Sequence, residues 1–243
     1  ALASLSRASS LARQSNDSLN LCRALLQIAE LHQNNGNVWL SRDYLNEALA
    51  VSEKISNRYL QGVARNYLGL FYSDRGDKQR ALELFLEAYK FFSTSNDSSG
   101  LAGLFINIGN TFEAIGSTEE AAYYYRKAAL KASNNHDFFN QIAALRNIGI
   151  LFRYSKPDSA LFFLLKADSL EPNSSNPVSA LIGKFNRANL HLDRKEYKTA
   201  SKLFAEVYES SVHLGITAGL ARALSGIASV EEDQLNYPKA LAS

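Results

Sequence analysis

The chain has 243 residues, 46% of them hydrophobic and 21% charged, proportions of a folded protein and not of a disordered, collagen-like or disulfide-stapled one. Twenty-six basic side chains against 24 acidic ones leave a formal charge of +2, spread too evenly to form a phosphate-binding stripe, so nucleic acid is not an expected partner. A single cysteine and no apolar run of 18 residues exclude an internal disulfide, a multi-cysteine zinc site and a membrane-spanning helix in this segment.

From its first residues the chain reads as helices grouped in pairs. Ala1, Leu5 and Ala8 have the spacing of the second helix of a hairpin, giving a partial unit over 1–17 that closes at Ser15-Asn16-Asp17. Cys22, among apolar residues of the following helix, is expected to be a small core side chain. Full units are expected at about 18–57, 58–97, 98–136, 137–176 and 177–216, with a last partial unit at 217–243, all within one array.

The register comes from an internal repeat. Leu68, Gly69, Tyr72, Gly76, Ala81, Phe85 and Ala88 match Ile108, Gly109, Phe112, Gly116, Ala121, Tyr125 and Ala128 at a shift of 40. The same shift backward reaches Ile28, Ala29, His32, Gly36, Ser41, Leu45 and Ala48. Forward come Ile148, Gly149 and Phe152, then, after a one-residue deletion, Ala160, Leu164 and Ala167. Ala188, His191, Ala200, Phe204 and Val207 follow, and the last partial unit holds Ile227, Ala228 and Ala240.

Each slot has a physical reason. A small residue on the first helix and alanines on the second let two backbones approach, and large side chains three or four positions away fill the grooves between them. Gly36-Asn37, Gly76-Asp77 and Gly116-Ser117 pair a glycine suited to a left-handed helix end with a side chain able to cap the next helix. Longer polar joints, Ser15-Asn16-Asp17, Ser56-Asn57, Ser95-Asn96-Asp97 and Ser133-Asn134-Asn135, are expected to separate one hairpin from the next.

This order of residues resembles the tetratricopeptide repeat, with a unit of about 40 residues in place of 34 and with Arg65 or Leu104 where the common pattern has tryptophan. The resemblance implies an all-α fold: a right-handed α-solenoid, or superhelix, of stacked antiparallel helix pairs whose concave wall is lined by the first helices. Lengthened units of this kind resemble those of bacterial peptide-responsive regulators, animal polarity adaptors and kinesin light chains. The phrases KPDSALFFLLKADSL and NEALAVSEKISN look most like arrays of bacterial sensor kinases and helix-turn-helix transcriptional regulators. The compartment is left open, with the resemblance favouring a bacterial periplasm over a cytoplasm. The array starts and stops in mid-hairpin and contains no methionine, so the chain is expected to be part of a longer protein or to cover its open ends by self-association.

The resemblance assigns peptide binding to polar residues of the concave face, and here these are Asn66, Asn107, Asn110, Arg146, Asn147, Arg153, Asn186 and Asn189. A ladder of amides can pair with a peptide backbone, and arginines among them can grip carboxylates in a two-pronged way. The competing reading is a solvated face, or one bonded between helices. The expected partner is a protein or peptide; the expected function is a protein-binding module, a sensory or interaction part of a larger bacterial regulator, with a ligand-free structural scaffold as the alternative.

Other motifs are expected to be structural. Arg75-Gly76-Asp77 falls on a turn, and the triplets Asn16-Asp17-Ser18, Asn96-Asp97-Ser98 and Asn173-Ser174-Ser175, which fit a glycosylation sequon, fall on helix joints. Tyr125 takes a core slot, and Tyr123 and Tyr124 are expected to wedge between hairpins. The histidines are scattered and His32 and His191 occupy aromatic slots, so no metal site is expected. No nucleophile with an oriented base, phosphate loop or dinucleotide fingerprint appears, so no enzyme, catalytic residue or cofactor is expected.

Overall fold

The computed structural model describes residues 1–95, 99–174 and 176–240, the last five as backbone only, and these form twelve α-helices with no strand. Asn96, Asp97 and Ser98 of one joint and triplet, Ser175 of another, and the side chain of Ala240 lie outside the described residues. The helices fall into two compact units, 1–128 and 129–243.

The first unit holds α1 (Leu2–Gln14), α2 (Ser18–Asn34), α3 (Val38–Lys54), α4 (Arg58–Asp74), α5 (Lys78–Ser93), α6 (Leu101–Ala114) and the start of α7 (Thr118–Asn134). The second holds the end of α7, then α8 (Phe138–Leu151), α9 (Pro157–Ser174), α10 (Pro177–Asp193), α11 (Tyr197–Leu214) and α12 (Thr217–Ala240). Within each unit successive helices pack on one another, and first helices of neighbouring hairpins also touch at α2–α4, α4–α6 and α10–α12. Each unit is therefore a stack of antiparallel helix pairs, the α-solenoid architecture that the repeat implies.

The repeat slots are the core. Leu45, Ala48, Ala81, Phe85, Ala88, Ile108, Ala121, Tyr125 and Ala128 are completely buried in the first unit, as are Ala160, Ala167, Ala188, Ala200 and Phe204 in the second. The small slot is set by contact: a Cβ added at Gly69 would stand 2.5 Å from the Phe85 ring, and one at Gly109 2.5 Å from Tyr125. Cys22 is fully buried with its Sγ donating to the Ala48 carbonyl at 3.3 Å, and burial raises its thiol pKa to about 11.

The joints between hairpins are as tight as the turns inside them, which the sequence did not suggest. Gly36, Gly76 and Gly116 close hairpins with φ between +75° and +83°, Lys195 closes that of α10 and α11 with φ of 58°, and at the joints Asn16, Ser56 and His136 adopt the same left-handed conformation without being glycine. The next residue then caps the following helix: Asp17 accepts from the Asn20 amide, Asn57 from Leu60, Asp77 from Arg80 and Asp137 from Asn140. Asn37 differs from expectation, since its side chain makes no cap and instead lies 3.5 Å from His32 Nδ1. The one-residue deletion falls in the turn after α8, where residues 152–156 pass to α9 with no left-handed residue.

His32 is buried and stacks on Tyr44, filling its aromatic slot. Trp39, by contrast, is 62% exposed and has the guanidinium groups of Arg42 and Arg75 each 4.9 Å from its ring. Tyr124 stacks on Phe112 and, with Tyr89, Phe105 and Tyr123, surrounds the Lys127 ammonium at 5.0–5.8 Å, so these tyrosines pack within the first unit.

Candidate peptide-binding face

Polar residues of the first helices do two different things in the two units. In the first they bond to each other across neighbouring hairpins: Gln33 donates to Asp74 at 2.7 Å, Tyr67 to Glu30 at 3.4 Å, and Asn107 Nδ2 to Asn66 Oδ1 at 2.9 Å. Burial, then the Glu30 charge, raises the Tyr67 pKa above the usual phenol value. Asn110 is exposed at its surface yet tied inward, because the Tyr125 hydroxyl sits 2.7 Å from Asn110 Oδ1 and 2.6 Å from Glu113 Oε2 and shares its one proton between them.

In the second unit the two arginines expected on this face are engaged by carboxylates of the chain itself. Arg146, only 6% exposed, pairs with Glu171 of α9, donates from Nη1 to Ser179 Oγ at 2.8 Å, and lies 3.9 Å from Asp168. Arg187 Nε stands 2.7 Å from Asp168 Oδ2, close enough to pair by charge although its N–H does not point at the oxygen. Burial lowers the Arg146 pKa and raises that of Asp168, in each case against the pull of the opposite charges beside it. Gly183 makes room for this cluster, since a Cβ there would fall 2.3 Å from Asp168 Oδ1 and 2.6 Å from Arg146 Nη2.

Arg153, just past the end of α8, grips the Asp193 carboxylate with both Nε and Nη2, the latter at 2.7 Å, and Nη2 also reaches the Asn189 carbonyl at 3.4 Å. The hydrogen bonds to Asp193 hold its pKa above the ordinary arginine value. The Asn189 side chain bonds back to the Phe185 carbonyl of its own helix at 3.0 Å.

Asn147 and Asn186, in equivalent positions 39 residues apart, line one cavity of about 270 Å³ between α8 and α10, and Arg146 forms part of its wall. Asn176 and Ser179 also line it, and four large apolar side chains of the wall are open to solvent: Phe139 is 66% exposed, Val178 45%, Ile150 42% and Ile182 39%. Asn186 Nδ2 and Arg146 Nε are buried and make no hydrogen bond. A second hollow of about 450 Å³ lies on a different face of α10, against α11, with Lys184, Glu209 and His213 on its rim.

Of the eight residues expected on this face, the structure thus brings Arg146, Asn147 and Asn186 together at one cavity, and bonds Asn66 to Asn107 elsewhere. Sequence reading missed Phe139, Ile150, Val178 and Ile182, although each is a large apolar residue in a position that the repeat does not need for its core. It also missed Gly183 and the carboxylates of Glu171, Asp168 and Asp193, which no motif links to their arginines. Among the described residues no group of three metal-ligating side chains converges, and no helix is long and apolar enough to cross a membrane.

Comparison with known proteins follows the same lines. The tetratricopeptide repeat family matches residues 20–94. A protein from Guillardia theta described as uncharacterized protein ycf37 is 25% identical over 154 residues, covering 62% of this chain and 83% of its own. Among solved structures, BtubC (BKLC) from P. vanneervenii superposes with a TM-score of 0.78 at 18% identity, covering 88% of this chain and 91% of its own. A Rap protein complexed with competence and sporulation factor superposes with a TM-score of 0.64 at 15% identity, over 87% of this chain and 64% of that one. With the family matched at 20–94 and the same hairpin, slot for slot, continuing through α8–α11, the chain is similar to tetratricopeptide repeat proteins in both of its units.

Proposed function

We propose that this chain is a binding module that holds a peptide or protein segment against its first helices, and that the working part in the second unit is the cavity walled by Asn147, Asn186 and Arg146. The observation that carries this reading is the convergence of four solvent-open apolar side chains with buried polar groups in one hollow, an arrangement typical of recognition sites and costly to leave bare. The structure of a Rap protein with a bound factor supports it by showing one similar fold in complex. Asn66, Asn107, Asn110 and Arg153 contribute mainly by fixing neighbouring helices, and the Asn189 side chain is held by its own helix. On this reading the chain performs no chemistry and serves as the sensing or interaction part of a larger bacterial signalling or transcriptional regulator.

Selection of a displayed random-peptide library on the immobilised chain tests this. Peptides that bind the native chain at least tenfold tighter than an Asn147→Ala, Asn186→Ala double variant, with folding of the variant verified by its melting curve, are the expected result. A scaffold without a peptide ligand is the second reading, favoured by the way Asn107–Asn66 and Arg153–Asp193 tie up the polar face. That reading requires the selection to return nothing specific and light scattering to show concentration-dependent assembly.

A further inference from the structure

We infer that the hollow between α8 and α10 takes a neutral, apolar side chain of an extended peptide, whose main chain pairs with the amide side chains that line it, and that it turns acidic anchors away. This rests on the peptide-binding reading above and specifies its ligand.

Size is the first constraint. At about 270 Å³ the hollow is below the ~300–1,000 Å³ of most small-molecule and cofactor sites, and suits one large side chain entering from an open furrow. Its open walls are hydrocarbon: Phe139 and Ile150 from α8, Val178 and Ile182 from α10. An aromatic or branched aliphatic group there removes apolar surface from water on both sides of the contact.

Charge is the second constraint, and it reverses what the arginine suggests in the sequence. Among the described residues Arg146 is the only cation in the wall, and its charge is already met by Glu171 and Asp168, while Arg187 faces Asp168. Two cations balance two anions in this cluster. A ligand carboxylate entering the hollow would have to displace Glu171 from Arg146 or stand as an extra negative charge beside a largely buried, neutral cluster, and both are unfavourable.

Hydrogen bonding is the third. Asn147, Asn176 and Asn186 line the hollow beside Ser179, and an amide side chain carries both donors and an acceptor. A peptide main chain supplies acceptors and donors to pair with these polar groups, whereas a purely hydrocarbon ligand such as an acyl chain would cover them without a partner.

The test pans a library of capped random octapeptides on the full chain, counter-selects on Ile182→Glu, and resynthesises the winners. Ile182 is 39% exposed, so its replacement leaves packing intact and a melting curve verifies this. The expected outcome is one position rich in Phe, Leu, Ile or Met. Changing that residue to Ser weakens binding about tenfold and to Glu at least thirtyfold, and Asn186→Ala weakens the parent peptide several-fold at unchanged melting temperature. A consensus with Asp or Glu at the position lost in Ile182→Glu overturns the inference and leaves the peptide-binding reading standing. Winners that bind native chain and Ile182→Glu equally also overturn it; if they are in addition insensitive to the Asn147→Ala, Asn186→Ala double variant, the peptide-binding reading falls with it.

Discussion

The two units solve one problem with different chemistry. Asn66, Ile106 and Arg146 occupy the same repeat position, at spacings of 40 residues. In the first unit that position is half-buried and its asparagine meets Asn107, a neutral pair that needs nothing else. In the second it is a buried arginine, and one charge there brings Glu171, Asp168, Arg187 and Ser179 from two further helices, together with a glycine at 183 to give them room. A repeat position can therefore change its side chain freely only while it stays neutral; once charged it recruits partners that the repeat pattern does not specify.

The largest expected effect separates the two solutions. Arg146→Ala leaves two carboxylates short of their partner and should destabilise the second unit by about 3 kcal/mol or more. Asn107→Ala leaves Asn66 partly hydrated and should cost the first unit only about 1 kcal/mol. Hydrogen exchange resolved by helix measures both, with faster exchange expected in α8–α10 for the first variant and in α4–α6 for the second. Equal losses would mean that the ionic cluster is no more demanding than the amide pair.

The close-approach glycines sharpen the contrast at the next level. Gly109→Ala forces the buried Tyr125 ring to move and should cost about 2 kcal/mol, the usual scale of overpacking. Gly183→Ala presses instead on the ends of Asp168 and Arg146, so its cost should largely vanish when it is combined with Arg146→Ala, a non-additivity that a double-mutant cycle in denaturant reads directly. No such rescue is expected between Gly109→Ala and Arg146→Ala.

The smallest effect concerns the connections between helices. Lys195 in the second unit and Ser56 in the first hold φ of 58° and 52°, where a side chain is disfavoured. Lys195→Gly and Ser56→Gly should each stabilise by about 0.5–1 kcal/mol, seen as a rise in denaturation midpoint. A loss at Lys195 alone would reveal a role for its side chain that the joint at Ser56 does not share.

Much of the fold was legible because core slots recur with the period of the hairpin and leave their sizes in the sequence: Gly69 and Gly109 opposite Phe85 and Tyr125 can be read without coordinates. The connections between helices were only half legible, since Gly36 and Gly76 announce a left-handed residue whereas His136 and Lys195 adopt one under the constraint of the helices on either side. The face was the least legible part. Whether Arg146 is free or neutralised depends on Glu171, 25 positions further along on another helix, and burial of a charge is a property of the assembled stack, not of any local pattern.

The lone tryptophan gives this architecture a built-in optical gauge. Trp39 begins α3, whereas Arg75 belongs to the turn after α4 in the following hairpin, so the distance between indole and guanidinium reports how those two hairpins are spaced. Indole emission responds to a nearby cation and to water, and with no second tryptophan in the chain any change in the first unit's pitch on ligand capture becomes a change in native fluorescence, readable without a label.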